Sequence, residues 1–119
     1  MIRVTVQGQD RLARKLKRLA REQHAGLGRA VGTSLAGLER EAKRRLERAD
    51  PARGKSLAES VFRKRDRDGL GGAVGTADPR AAAIERRRPW LKPALAAERP
   101  KIRRRLAGAV KAANRKVAK

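Results

Sequence analysis

The chain has 119 residues, with 33 Lys+Arg against 12 Asp+Glu and a formal net charge of +21. It has no cysteine, which excludes a disulfide framework and a thiolate metal site. Hydrophobic residues make up 39% but aromatics only 2%, so one domain over 1–119 is expected, with a thin Leu/Val/Ala core that leans on neighbouring subunits. In chain order, Ile2, Val4 and Val6 alternate with Arg3, Thr5 and Gln7, a period of two that predicts a short half-buried strand ended by Gly8. From Asp10 the period changes. Leu12, Leu16 and Leu19 share one helical face, and Asp10 suits the start of that helix.

His24-Ala25-Gly26 breaks or bends this helix, and a longer stripe follows: Leu27, Val31, Leu35, Leu38, Ala42 and Leu46, at steps of three and four. Gly28, Gly32 and Gly37 weaken the helix by about 1 kcal/mol each. They make sense where another backbone approaches. The helix should stop before Asp50-Pro51, since the residue preceding proline avoids helical angles. Val61, Arg63 and Arg65, then the turn signal Asp68-Gly69, then Leu70 to Val74 predict a β-hairpin with a polar tip. "RAAAIERR" fits a short helical turn or a strand. Ile102, Leu106, Val110, Ala113 and Val117 predict a C-terminal amphipathic helix, with Lys101, Arg103, Arg104, Lys111 and Arg115 on its other face and a basic end at about 111–119. Pro93 fits its first turn, and Pro100 is expected to kink or restart it.

Catalytic constellations are scarce. His24 has no carboxylate close in sequence to orient it, and Glu39 and Glu41 are spaced for ion pairs with Lys43 and Arg45. Asp66 and Asp68 read as turn residues, and Gly69-Leu70-Gly71-Gly72 lacks the lysine of a phosphate loop. The expectation is a non-enzyme with no cofactor. No apolar run approaches the roughly 20 residues needed to span a bilayer, and "MIRVTVQGQD" lacks the apolar core of a signal peptide, so no membrane role is expected. The charge suits a polyanion or an acidic protein partner, and by itself does not choose between them. Trp90, between Pro89 and Pro93, reads as a docking anchor rather than a base stacker. The neighbouring Arg86, Arg87 and Arg88 fit either a phosphate contact or a solvated turn.

Taken in order, "VTVQGQDRLARKLKRL", "DPARGKSLAESV" and "AAAIERRRPWLKPALAAERPKIRRRLAGAV" resemble the tail-completion, or head–tail joining, family of long-tailed phages, prophages and gene transfer agents. Pro51, Gly54, Lys55, Leu57 and Ser60 match the family's central signature. Ala82, Ile84, Glu85, Arg88, Pro89, Trp90, Leu91, Pro93 and Ala94 match its closing one. The chain departs from the pattern in having no tyrosine and in following Glu85 directly with Arg86-Arg87, which shortens the segment before Pro89.

The resemblance implies an α+β subunit: a small, mostly antiparallel sheet with a β-hairpin, packed against the long central helix and the C-terminal helix. It implies a structural virion protein of the neck, made in the bacterial cytoplasm and assembled as a homo-oligomeric ring, a hexamer by the habit of such rings. The ring would join the DNA-filled head to the tail, touching stopper or adaptor proteins on one side and tail-terminator or tail-tube proteins on the other. Pro51, Gly54, Leu57, Ser60, Glu85, Pro89, Trp90, Leu91 and Pro93 are then candidates for docking or inter-subunit contact. Arg63, Lys64, Arg65, Arg67, Arg86, Arg87 and Arg88 are candidates for contact with a partner or with DNA in the channel. The competing expectation, from charge alone, is a nucleoid-type nucleic-acid-binding protein.

Overall fold

The stripe from Leu27 to Leu46 forms the inner face of one helix, α1 (His24–Ala49), and each of its six members is at most 2% exposed. The computed structural model describes residues 2–7 and 24–117. The helix expected on Leu12, Leu16 and Leu19, and Gly8 as the end of the first strand, lie outside those residues. α1 stops at the predicted place. The Asp50 N–H still reaches the Leu46 carbonyl at 3.1 Å, and Pro51 opens a turn.

The remaining elements are β1 (Ile2–Gln7), α2 (Gly54–Ala58), β2 (Val61–Arg65), β3 (Gly71–Thr76), α3 (Pro79–Arg87) and α4 (Leu91–Val117). The strands pair antiparallel in the order β1-β3-β2, which gives the α+β architecture expected. Val4 and Arg63 both face Val74, so Ile2, Val4, Val61, Arg63 and Arg65 share one side of the sheet with Gly72, Val74 and Thr76. That side meets α1. A Cβ on Gly72 would stand 2.5 Å from the Lys64 carbonyl oxygen of β2 and 2.5 Å from Leu35 Cδ1 of α1, so the neighbouring backbone leaves no room for a side chain here.

The hairpin turns through Gly69, whose φ of 72° is the left-handed conformation that glycine adopts without strain. Asp68 Oδ1 accepts the Leu70 N–H at 2.9 Å, and the Asp66 N–H donates to the Gly71 carbonyl at 3.0 Å. "RAAAIERR" resolves as helix. Asp78 caps α3 by accepting the Arg80 N–H at 2.9 Å, Pro79 occupies the first turn, and Ala81 and Ile84, three apart, are the buried residues.

Two expectations need correction. α4 does not restart at Pro100 but runs through it. The carbonyl left without its N–H partner belongs to Ala96, on the exposed side, where water can serve it. The helical glycines chiefly make room for side chains, not for a backbone. Cβ atoms at Gly28 and Gly32 would lie 3.2 and 3.4 Å from the Arg65 guanidinium, and one at Gly37 would lie 3.3 Å from Glu98 Oε1 of α4.

α4 runs antiparallel to α1. Arg88, just before α4, reaches Ala49 at the end of α1, while Gly37 in mid-helix faces Glu98 and Arg105. Leu91, Ala94, Ile102 and Leu106 bury against the α1 stripe in one continuous core. Polar groups are caught in this seam. Among the described residues, Ser34 Oγ, Glu98 Oε2 and Arg105 Nη1 are buried without a hydrogen-bond partner. Lys101 Nζ stands 3.5 Å from Glu98 Oε2, an ion pair without a hydrogen bond.

Candidate functional site

The central signature is the joint between α1 and the sheet. Gly54 is buried because a Cβ there would stand 2.5 Å from the Leu46 carbonyl oxygen and 2.7 Å from Glu47 Cα. Only glycine lets α2 fold back so closely on α1. Leu57 is buried in the core, and Pro51 and Lys55 are exposed. The Ser60 hydroxyl donates to the Leu57 carbonyl at 2.6 Å and lies 2.7 Å from Thr76 Oγ1. Thr76 Oγ1 in turn accepts the Asp78 N–H at 3.1 Å, so one pair of hydroxyls ties α2, the end of β3 and the start of α3.

The closing signature is the joint between α3 and α4. Glu85 Oε2 accepts the N–H groups of Trp90 and Leu91 at 2.6 and 2.8 Å, and Oε1 accepts that of Lys92 at 3.1 Å. These are donors that a helix start leaves without an internal partner. Pro93 has no N–H, and Ala94 donates to the Trp90 carbonyl at 3.3 Å, so the first turn of α4 is complete. A carboxylate here also suits the helix dipole.

Trp90 is 0% exposed, and its indole N–H donates to the Ala81 carbonyl of α3 at 3.1 Å. Its ring is used inside the chain and is not free to dock on a neighbouring subunit. Leu91 and Ala94 are buried beside it, Pro93 is half-buried and Pro89 exposed.

The candidate cations fall into two groups, one on the hairpin along the first two-thirds of α1 and one beyond its C-terminal end. At the hairpin, Arg65 bends back to donate to the Gly28 carbonyl at 2.5 Å and the Gly69 carbonyl at 3.3 Å, and Arg63 Nε stands 3.9 Å from Glu39 Oε2. Arg65 therefore braces the hairpin against α1, and Arg63 adds a weak, half-exposed ion pair. The side chains of Lys64 and Arg67 are exposed and make no hydrogen bond or ion pair among the described residues. The second group, Arg86, Arg87 and Arg88, lies at the far end, about 30 Å away along a helix that rises 1.5 Å per residue.

Arg87 and Arg88 meet Arg53, which the sequence reading passed over, around a cleft of about 310 Å³ completed by Ala49, Asp50 and Ile84. Arg88 Nη1 donates to the Ala49 carbonyl at 3.1 Å, and Arg53 Nε to Asp50 Oδ2 at 3.2 Å. The backbone N–H of Arg53 on Asp50 Oδ1, outweighing a small desolvation, holds the Asp50 carboxyl below the usual range. The signal in the sequence for this cleft was the Arg86-Arg87-Arg88 run, two members of which line it. Its relation to Arg53, more than thirty positions away, has no local trace.

The acids of α1 are largely paired within the chain. Glu39 sits 3.2 Å from Lys43 Nζ, and Glu41 bonds Arg45 at 2.9 Å and also Arg44, as the spacing predicted for Lys43 and Arg45. Desolvation acts to raise the Glu41 carboxyl, and the bonds and charges of the two arginines outweigh it and hold it low. Among the described residues no group of three or more His, Cys, Asp and Glu could hold a metal ion, and no helix is long and apolar enough to cross a membrane. Compared with protein-family models, with curated proteins and with solved structures, the chain gives no match.

Proposed function

We propose that the chain is a structural subunit of the neck of a long-tailed phage or gene transfer agent, forming a ring that joins the DNA-filled head to the tail and leaves a path for DNA. The observation that supports it best is where the two resembling signatures fall. Gly54 and Ser60 hold the joint from α1 to the sheet, and Glu85 and Trp90 hold the joint from α3 to α4. Residues that a family keeps for its fold would sit at such joints. In this reading the partners are other copies, in a hexamer, with stopper or adaptor proteins on one face and tail-terminator or tail-tube proteins on the other.

Cryo-electron microscopy of purified particles tests the proposal. It expects this chain as a ring at the neck, and particles lacking it there would refute the role. The hairpin contact is best probed by reversing Lys64 and Arg67, since Arg65 braces the hairpin on α1 and Arg63 pairs with Glu39, so that changing those two would mix assembly with intrachain contacts.

One observation favours the nucleic-acid reading as a second. Lys92, Arg99 and Arg103, at spacings of seven and four, project from one exposed face of α4 and have no side-chain partner among the described residues. That reading expects the isolated protein to bind duplex DNA with a steep loss of affinity as salt rises. A shallow slope would exclude it.

A further inference from the structure

We propose that the cleft between the end of α1 and the α3–α4 link is a receptor for an acidic polypeptide segment, seating a glutamate side chain between Arg53, Arg87 and Arg88. The proposal stands on this cleft alone and does not depend on the neck reading. Three guanidiniums face one carboxylate, Asp50, so the lining carries a net positive charge. Arg53 and Arg88 are each held at one edge, by Asp50 and by the Ala49 carbonyl, which fixes their planes and leaves further N–H donors for a ligand. The Arg87 side chain makes no hydrogen bond or ion pair among the described residues, and its guanidinium donors are available.

The floor separates a polypeptide from a phosphate. Ile84 and Ala49 give the cleft an apolar base, which the methylenes of a glutamate can cover while its carboxylate meets the guanidinium forks. A phosphodiester brings no such stem. The volume of about 310 Å³ is at the small end for a ligand site and suits one side chain with its flanking backbone rather than the body of a duplex. Asp50 stays ionised at the wall and disfavours a group of higher charge.

The test titrates the full chain with a blocked hexaglutamate peptide by calorimetry, at about 0.15 M ionic strength, where exposed charges more than ~8 Å apart are screened. Arg87→Glu should weaken binding by about tenfold or more, the scale of a lost charge-assisted contact. Arg103→Glu makes the same change of charge on an exposed residue of α4, about 18 Å along that helix from its start. It should weaken binding by no more than about twofold if the cleft, not the overall field, is the receptor.

Arg87→Gln, with circular dichroism on all variants, guards against misfolding and should lose affinity in the same direction. Three results would overturn the proposal. These are no binding of hexaglutamate by the unaltered chain, equal losses for Arg87→Glu and Arg103→Glu, or a larger loss for Arg87→Glu on a twelve-base-pair DNA duplex than on the peptide. The last outcome would make the cleft a phosphate site.

Discussion

The α3–α4 joint and the α1–α4 seam each hold a glutamate, and the two are treated in opposite ways. At the joint, both oxygens of Glu85 are occupied by the N–H groups that open α4, and the indole N–H of Trp90 has its own acceptor. In the seam, Glu98 is 6% exposed, one of its oxygens accepts no hydrogen bond, and Ser34 and Arg105 each leave a buried polar atom in the same condition. A polar group that completes a geometry specifies the fold. One that is merely enclosed adds desolvation without direction. The joint should therefore be intolerant of change and the seam tolerant.

Trp90→Ala is the strongest challenge to that contrast. It removes a wholly buried ring and the bond to Ala81, and should cost about 3–5 kcal/mol in urea unfolding while leaving any DNA affinity of the surviving folded protein nearly unchanged. A cost well under that range would mean the joint is held elsewhere. Glu85→Ala comes next. It strands the donors that open α4 and should lower stability by about 1.5–3 kcal/mol, the scale of hydrogen bonds to a charged group. Thermal unfolding of Glu85→Gln, which keeps an acceptor but not the charge, should fall between that variant and the unaltered chain.

In the seam, Glu98→Met keeps the length of the side chain and removes the enclosed charge. Its ion-pair partner Lys101 is exposed, so the cation left behind stays solvated, and the change should cost no more than about 1 kcal/mol. A loss as large as that of Glu85→Ala would erase the difference between the regions.

The smallest effect concerns acid. The carboxyls of Glu41, Asp50 and Asp78 are held low in the folded chain, the last chiefly by the side-chain bond from Arg80. Their folded values lie below the unfolded ones, so their contribution is complete above about pH 4–5 and is lost as pH falls through the folded values. Denaturant midpoints should drop modestly below that range. A midpoint that rises on acidification would contradict the pairing.

Much of the architecture was legible in the sequence, for reasons that differ by element. The Leu27–Leu46 stripe, the stop at Pro51 and the turn at Asp68-Gly69 are written in residues a few positions apart, and all three appear in place. "RAAAIERR" was not decidable, because eight residues with three alanines carry no clear period. Its helix is settled by the Asp78 cap and by burial of Ala81 and Ile84. Trp90 read as a docking or inter-subunit anchor, whereas its ring is buried inside the chain with its N–H on Ala81 of α3. The arginines read alike as candidates for contact with a partner or DNA, yet the Arg65 side chain bonds the Gly28 carbonyl of α1 while Arg87 lines a cleft.

By itself the sequence determined which faces bury and where elements stop, because helical and strand periods are set by neighbours along the chain. Only the tertiary structure decided which cations are spent and which remain open. The Arg65–Gly28 bond joins residues 37 apart and the Arg88–Ala49 bond residues 39 apart. Such pairs exist only once α1 has packed against β2 on one side and α4 on the other. An arginine's reach is the same everywhere in the chain, and what lies within that reach is a property of the packing.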